Sequence, residues 1–248
     1  MNAVSPSPEL IREIAPTGRL RVALNFGNIV LAQRGENGEP QGISVDLANE
    51  LAKRLGLEVD FLSYESAGVV ADLAQKDVWD IAFMARDPAR ATGISFTAPY
   101  VIIEGSYLVA EASPLQSIAD VDAKGVRIAV GKGAAYDLFL SRALKNAELV
   151  RAATSADAID LFIADKLESV AGVKQPLIKY AAAHPGYRVI EGRFTAIEQA
   201  MAVPKGRPIA YAYVHAFVEE MKGSGFVAGG LSRSKQHDAA VAPAEAIA

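Results

Sequence analysis

The sequence predicts an α/β protein made of two units, with the second unit inserted into the first. Short apolar segments with strand character alternate with amphipathic helical segments along most of the chain. Strand–helix–strand order at this spacing is typical of right-handed crossovers and of a parallel sheet. The pattern starts again after a strand at 105–112, and 248 residues suit two modest domains.

The first unit begins with a buried strand followed by a helix. The helical segment GISVDLANELAKRLG is amphipathic because its leucines recur at every fourth residue, and Gly56 ends it. The strands predicted in this unit lie at 20–25, 57–64 and 80–84, and a further helix lies at 67–75.

The second series has the same alternation, and Ser155 is the predicted N-cap of one of its helices. Its strands are predicted at 126–130, 147–152, 168–173 and 187–191, and its helices at 118–125, 134–144, 155–167 and 174–184. The chain then returns through a strand and turn at 200–206 and a long helix that starts at 208 and is ended by Gly223. The alanine-rich tail at 237–248 is predicted to be loose.

Composition excludes several classes of function. A net charge of −4 argues against nucleic acid as a partner, because phosphate binding favours a basic surface. The absence of cysteine excludes disulfides, thiolate metal sites and cysteine nucleophiles. The three histidines, His184, His215 and His237, lack metal-ligand spacing, so we expect neither a metal nor a cofactor.

No apolar run approaches the roughly 20 residues that a membrane-spanning helix needs. The amino-terminal segment MNAVSPSPELIREIAPTG has neither a basic n-region nor an apolar h-region, so it is not a secretory signal peptide. We therefore expect a cytoplasmic protein if this is the native full length, or a signal that has been removed.

Five segments in order resemble the family 3 extracellular solute-binding proteins, which serve polar amino-acid ABC transporters. They are GRLRVALN, GEPQGISVDLANELAKRLG, WDIAFMARDPARATGISFTAPYV, GVRIAVGKGAAYD and QAMAVPKG. The resemblance runs from about Leu20 to Gly229, which is most of the chain.

This resemblance implies a type II periplasmic-binding-protein-like fold, with lobe 2 inserted into lobe 1. Two hinge strands would cross near 104–107 and 193–198, and the lobes would close on a ligand held between them. Lobe 1 is expected at 1–105 and 197–248, and lobe 2 at 106–196. The family also implies a periplasmic location, a small carboxylate ligand and ABC permease subunits as partners; we expect a monomer.

Arg90 is the main candidate for ligand binding. It is a lone arginine before the apolar run ISFTAPYV, where the resemblance implies a residue that holds the ligand's carboxylate. A guanidinium suits this role because its planar fork donates two charge-assisted hydrogen bonds to one carboxylate. The alternative is an internal ion pair with Asp87 or Asp80.

The residues before Arg90 depart from the family pattern. Phe83, Met84, Ala85 and Arg86 stand where glycine and small hydroxyl residues are customary. Met84 and Ala85 are therefore candidate lining residues. Arg86 either reaches the cleft as a second arginine or is a solvated loop residue.

In the second unit, the loop GKGAAYD leads into a helix. The backbone N–H groups of Gly133, Ala134 and Ala135 are candidates to bind an anion there. The loop is not a P-loop, because no GK[ST] follows the required glycines. Tyr136 either supplies a side-chain donor or packs its ring in the core.

The ammonium partner that amino-acid binders commonly carry is absent from its expected position. Counting from Glu168, Val173 stands where that aspartate is customary, and Asn25, followed by Phe26 and Asn28, replaces a usual acidic residue. Because an unpaired buried ammonium is costly, we expect a small carboxylate, amino-acid-like or an organic acid, or another anion, which either lacks an α-ammonium group or has that group held in an unusual way. Glu104, which could restore an amine partner, and Lys174 are two further residues that could line the cleft.

Two other functions remain open at this stage. The first is a dehydratase resembling cyclohexadienyl dehydratase, with Glu104, Glu168 or Lys174 as general acid or base. Against it, the sequence offers no paired carboxylates and no obvious base for Ser95, Ser106 or Ser169. The second is a sensor domain that reports ligand to another protein.

Overall fold

The computed structural model describes residues 6–245 and divides them into two compact units. Unit 1 comprises residues 6–64, Val69–Ile102 and 198–245, and unit 2 comprises Glu65–Gly68 and Ile103–Ile197. Unit 2 is thus an insertion in unit 1, as the fold class predicted from the sequence requires. The predicted hinge positions and lobe boundaries stay a prediction.

The elements alternate as the sequence indicates. The helices are α1 (Pro8–Ile14), α2 (Ile43–Leu55), α3 (Ala67–Asp72), α4 (Ala135–Ala143), α5 (Ser155–Ala164), α6 (Lys174–Ala183), α7 (Pro208–Gly223) and α8 (Phe226–Arg233). The strands are β1 (Leu20–Asn25), β2 (Gln33–Arg34), β3 (Pro40–Gln41), β4 (Val59–Tyr64), β5 (Ile81–Ala85), β6 (Ile94–Ala110), β7 (Arg127–Gly131), β8 (Glu148–Ala152), β9 (Ser169–Val173), β10 (Tyr187–Val189), β11 (Thr195–Pro204) and β12 (Ala240–Val241). A short 3₁₀ turn covers Ile118–Val121.

The sheet of unit 1 has the strand order β4-β1-β5-β11-β6. Strand β1 runs parallel to β4 and β5, with Asn25 opposite Tyr64, whereas β11 is antiparallel to β5. All five residues of β5 are buried, as expected for a central strand. The carboxyl ends of β1, β4 and β5 therefore lie at one edge of this sheet.

A buried ion network joins distant parts of unit 1. Asp80 is fully buried and accepts hydrogen bonds from the backbone and guanidinium of Arg21 and, at 2.7 Å, from NH1 of Arg207. The network connects β1, the segment before β5 and the start of α7. Removing one partner from such a buried group is strongly destabilising, because a charge is left without compensation.

The sheet of unit 2 has the strand order β6-β9-β7-β8, in which β6 contributes its carboxyl-terminal part. Strand β10 also pairs with β6. Strand β7 is parallel to β8 and β9, and β9 is antiparallel to β6. Parallel pairing places the ends of β7, β8 and β9 at a common edge. Gly131, Ala152 and Val173 are the last residues of these strands.

Several features differ from the sequence prediction. Strand β6 starts at Ile94 and is much longer than the predicted segment 105–112. The N-cap of α5 is Thr154 rather than Ser155, because the Thr154 side chain and Asp157 bond reciprocally to each other's backbone N–H. Helices α1 and α8 and strands β2, β3 and β12 were not predicted.

The predicted loose tail is wrong for the part that the structure describes. Ala240 lies opposite Ile102 of β6, and the N–H of Ala242 donates to the carbonyl of Tyr100 at 3.1 Å. Nζ of Lys222 donates to the Pro243 carbonyl at 2.8 Å. These bonds hold the segment in place because they satisfy backbone groups that would be hydrogen-bonded to water in a loose tail. Residues 246–248 of the predicted tail lie outside the described residues.

Candidate functional site

In unit 1, the loop after β1 is shaped by two asparagines. Oδ1 of Asn25 accepts the N–H of Gly27 at 3.0 Å, and Oδ1 of Asn28 accepts the N–H of Val30 at 3.3 Å. Each amide thus caps a local turn. Phe26 lies between them, largely buried, with the Arg34 guanidinium 4.2 Å from its ring centroid.

Arg90 lies at the carboxyl end of β5. Its NH1 donates to the carbonyl of Ala85, the last residue of that strand, at 2.9 Å, and only 6% of the residue is exposed. Burial lowers the pKa of Arg90 to about 10, although the Asp87 carboxylate acts in the opposite direction. The side chain therefore stays protonated at neutral pH, in surroundings that penalise its charge.

Asp80 and Asp87, the two residues considered as internal ion-pair partners of Arg90, have different relations to it in the structure. Asp80 is bonded to Arg21 and Arg207, so the ion pair with Asp80 is wrong. Asp87 does attract Arg90 electrostatically. This attraction is smaller than the desolvation effect on the Arg90 pKa.

Arg86 is an exposed residue of the loop that follows β5, in agreement with the alternative of a solvated loop residue. It also forms surface ion pairs, with its Nη1 2.8 Å from Oε1 of Glu245 and 3.6 Å from Oε2 of Glu198. Its predicted role in the cleft stays a prediction. Met84 and Ala85 are buried strand residues, and they lie opposite Ala200 and Gln199 of β11.

In unit 2, part of the predicted anion loop already has partners. The N–H of Gly133 donates to Oδ2 of Asp137 at 2.8 Å, and the N–H of Ala134 donates to the Gly131 carbonyl at 3.1 Å. These two N–H groups are therefore not available to a ligand in this structure, which corrects that part of the expectation. Ala135, the first residue of α4, stays a candidate.

Tyr136 packs in the core of unit 2. It is 3% exposed, and its hydroxyl donates to Oγ of Ser155 at 2.8 Å. Burial raises the pKa of Tyr136 above its ordinary value. The core-packing alternative therefore describes this residue, since its proton is directed at Ser155.

Val173 and Glu104 stand side by side in unit 2. Val173 ends β9 opposite Gly105, the residue after Glu104. The Glu104 carboxylate lies between two cations, with Nζ of Lys174 and NH1 of Arg193 each 2.9 Å away. These contacts, with that of Lys174 largest, hold the pKa of Glu104 below its usual range.

The candidate acid–base residues have structural partners. Glu168 is bonded to the backbone and guanidinium of Arg127, which lowers its pKa, so it is a poor general acid at neutral pH. Oγ of Ser106 donates to the Ile190 carbonyl at 3.1 Å.

Over residues 6–245, no group of three or more His, Asp or Glu side chains is placed to hold a metal ion.

The chain belongs to the bacterial extracellular solute-binding proteins, family 3, whose family model matches residues 20–229. The family, the mixed α/β architecture and the inserted second unit together define a type II periplasmic-binding-protein fold. In the part of the chain that the structure covers, no helix has both the length and the apolar character needed to cross a bilayer.

Known relatives agree with this family. The L-cystine-binding protein TcyJ of Escherichia coli K12 is 25% identical over 142 residues, 56% of this chain and 53% of TcyJ. The chain thus matches about half the length of this curated relative. The solute receptor for L-cysteine of Neisseria gonorrhoeae has a TM-score of 0.79 at 22% identity, covering 90% of this chain and 92% of that one.

The ancestral amino acid-binding protein AncCDT-1, a precursor of cyclohexadienyl dehydratase, has a TM-score of 0.74 at 23% identity. The match covers 91% of this chain and 97% of that one. Identities at this level establish the fold alone.

One residue of the unit 2 cluster, Arg193, was missed by reasoning from the sequence. It belongs to the segment RFTAIE at 193–198, which was assigned only to a hinge crossing. A basic residue at the start of one crossing and the acidic Glu104 at the start of the other were the signal that could have paired them.

Proposed function

We propose that this protein captures a small solute through a carboxylate that binds Arg90, and that the solute lacks an α-ammonium group. Family membership supports the binding of a small ligand. The observation that carries the proposal is the position of Arg90, a buried guanidinium bonded to the last carbonyl of β5, a central strand that runs parallel to β1. Ligands of open α/β sheets bind beyond the carboxyl ends of such strands.

The proposed loss of the ammonium partner rests on two residues of unit 2. Val173 offers only an aliphatic side chain where amino-acid binders commonly carry an aspartate. Glu104 is the nearby carboxylate that could replace it, but its charge is already offset by Lys174 and Arg193. An ammonium group placed there would have no uncompensated anion to meet.

We further propose that the protein works as a monomer in the periplasm and delivers its solute to ABC permease subunits. This role is typical of the family rather than visible in any residue here. We propose a binding protein and not an enzyme, so incubation with prephenate or arogenate should give no aromatic product. Aromatic product in that assay would contradict this part of the proposal.

Isothermal titration calorimetry tests the ligand class. Acetate, propionate and butyrate, dicarboxylates, and neutral and acidic amino acids are titrated separately into the purified protein. Organic acids should bind and raise the melting temperature by mass action, whereas zwitterionic amino acids should not. Tight binding of an ordinary zwitterionic amino acid would overturn the proposal.

Variants of Arg90 test the anchor itself. Arg90→Gln should weaken carboxylate binding by about thirtyfold or more, since a charge-assisted hydrogen bond contributes about 2 kcal/mol. Arg90→Lys keeps the charge but loses the fork, and should fall between wild type and Arg90→Gln. Arg12→Gln, at an exposed arginine of the same unit, is the control and should leave affinity unchanged.

A further inference from the structure

A polar cavity of about 540 Å³ lies within unit 1, between the β2–β3 hairpin, the first turn of α2 and the end of α8. This volume is in the range of about 300–1,000 Å³ that is typical of small-molecule sites. Arg90 is not among the residues that line it. The side chains on which the argument depends are those of Gln33, Gln41, Asp46, Arg233 and Lys235.

Two glutamines provide one wall of this cavity. Gln33 of β2 lies directly opposite Gln41 of β3, so their side chains share one face of the hairpin. Nε2 of Gln33 donates to the Ile29 carbonyl at 2.8 Å, which leaves its Oε1 as an acceptor. Within residues 6–245, the Gln41 side chain has no hydrogen-bond partner. Carboxamides both donate and accept, so this wall is suited to hydroxyl groups, which do the same.

The opposite wall has a surplus of one positive charge. NH2 of Arg233 lies 2.7 Å from Oδ2 of Asp46, and this bond uses one of five guanidinium N–H groups. Lys235 forms no ion pair with any other residue that the structure describes. One acidic residue thus balances only one of two cations. A monoanionic carboxylate would restore neutrality, whereas a phosphate monoester, with a charge of about −1.5 to −2 at pH 7, would exceed it.

The end of α8 does not itself require a lysine at position 235. The N–H of Lys235 donates to the Ser232 carbonyl and the N–H of Gln236 to the Leu231 carbonyl, which together form a Schellman motif. Lys235 has a φ of 58°, in the left-handed region where glycine is usual because it lacks a Cβ. The backbone alone would therefore favour glycine, and the lysine brings an ammonium group to the cavity.

We propose that this cavity is a second solute site, which binds a polyhydroxylated monocarboxylate of the sugar-acid class. Arg233 and Lys235 bind the carboxylate through charge-assisted hydrogen bonds, and the carboxamides of Gln33 and Gln41 bind the hydroxyl groups. The site lies entirely in unit 1 and does not depend on the function proposed for Arg90.

Nuclear magnetic resonance titration tests this proposal at the site itself. The backbone amide signals of Ser234 and Lys235 report on the cavity, and those of Ala89 and Ala91 report on the surroundings of Arg90. Gluconate is compared with sorbitol, which lacks the charge, and with hexanoate, which lacks the hydroxyl groups. At the cavity signals, gluconate should bind at least about tenfold more tightly than either, because only gluconate can use both walls.

Variants of the two cations test their role. Arg233→Gln and Lys235→Gly should each weaken gluconate binding at the cavity signals by about tenfold or more. Lys235→Gly should do so without lowering the urea midpoint, since glycine is favoured in left-handed backbone. A lysine that served only the end of the helix would leave gluconate affinity unchanged. Lys76→Gln, at an exposed lysine elsewhere in unit 1, is the control and should have no effect.

The two proposals can fail separately. The second site is overturned if gluconate leaves the Ser234 and Lys235 signals unchanged, if sorbitol or hexanoate binds there equally well, or if both cation variants retain full affinity. Gluconate that shifted only the Ala89 and Ala91 signals would likewise overturn it, while supporting a carboxylate site at Arg90. Carboxylates that never shift those two signals would contradict the proposed function and leave the second site standing.

Discussion

Oε1 of Glu245 lies 2.8 Å from NH1 of Arg86, a residue 159 positions earlier in the chain. This ion pair attaches the last described residue to the segment that follows β5. Strand β12, a few residues before Glu245, pairs with β6. The end of the described chain is therefore held to the rest of unit 1 at two places. Arg86 thereby has a structural partner, whichever role it has toward a ligand.

Replacement of either member of this pair should cost little stability. The two side chains are 37% and 45% exposed, and pairs of this kind contribute about 0.2–1 kcal/mol to the free energy of unfolding. Urea unfolding of Glu245→Gln, Arg86→Gln and the double variant should therefore show non-additive losses in that range. Strictly additive losses would mean that the two residues do not interact in solution.

Tyr136→Phe should lower stability without changing ligand affinity. The variant removes a buried hydroxyl that donates to Ser155, which costs about 1 kcal/mol. Urea unfolding measures the first effect and calorimetry the second. A tenfold loss of carboxylate affinity would instead make Tyr136 a ligand donor; Ser155→Ala, which removes the same bond from the other side, is the matched control.

Val173→Asp should convert the binding preference. The substitution places a carboxylate where the family's ammonium partner is expected, so zwitterionic amino acids should gain affinity and organic acids should lose it. Val173→Asn, of similar size but neutral, should do neither. Should Val173→Asp still reject amino acids in calorimetry, Val173 would not occupy the position that the resemblance assigns to it.

Asp122→Asn should reveal a pH-dependent contribution to stability. The Asp122 carboxylate accepts the backbone N–H groups of Ala147, Asn146 and Lys145, which lowers its pKa below the ordinary 3.8. A carboxyl group with a lowered folded-state pKa stabilises the protein above pH 3.8 and loses that effect as pH falls through the folded-state value.

Wild type should therefore have a higher urea midpoint than Asp122→Asn between pH 5 and 7. The difference should narrow as pH falls below 3.8. Because other carboxyl groups titrate equally in both proteins, the difference isolates Asp122. A difference that stays constant down to pH 2.5 would contradict the assignment.

Local pattern was sufficient for most of the fold. The leucine repeat and Gly56 located α2, whose C-cap has the left-handed conformation expected of that glycine. Strand β12 and the pair of Arg86 with Glu245 were inaccessible, because they depend on partners more than a hundred residues away. The N-cap of α5 was misplaced by one residue, since Thr154 and Ser155 are both good caps.

The sequence was sufficient to select candidate site residues, but not to predict their hydrogen-bond and ion-pair partners. Sequence reasoning placed Arg90 beside a buried strand and identified Glu104 and Lys174 separately. It could not show that Glu104 lies between Lys174 and Arg193, because that arrangement depends on how β6 pairs with β9. Nor could it show that the N–H of Gly133 is taken by Asp137, which depends on the local backbone conformation.

The buried Asp80 network has a consequence for biosynthesis. Arg207 follows Asp80 by 127 residues, so at ordinary translation speeds it is made roughly 6–25 s later. Throughout that interval the amino-terminal part of unit 1 lacks one of the two guanidiniums that hold its buried carboxylate. The inserted unit is nearly continuous in sequence and is complete before the unit that surrounds it. We therefore expect it to fold first during synthesis.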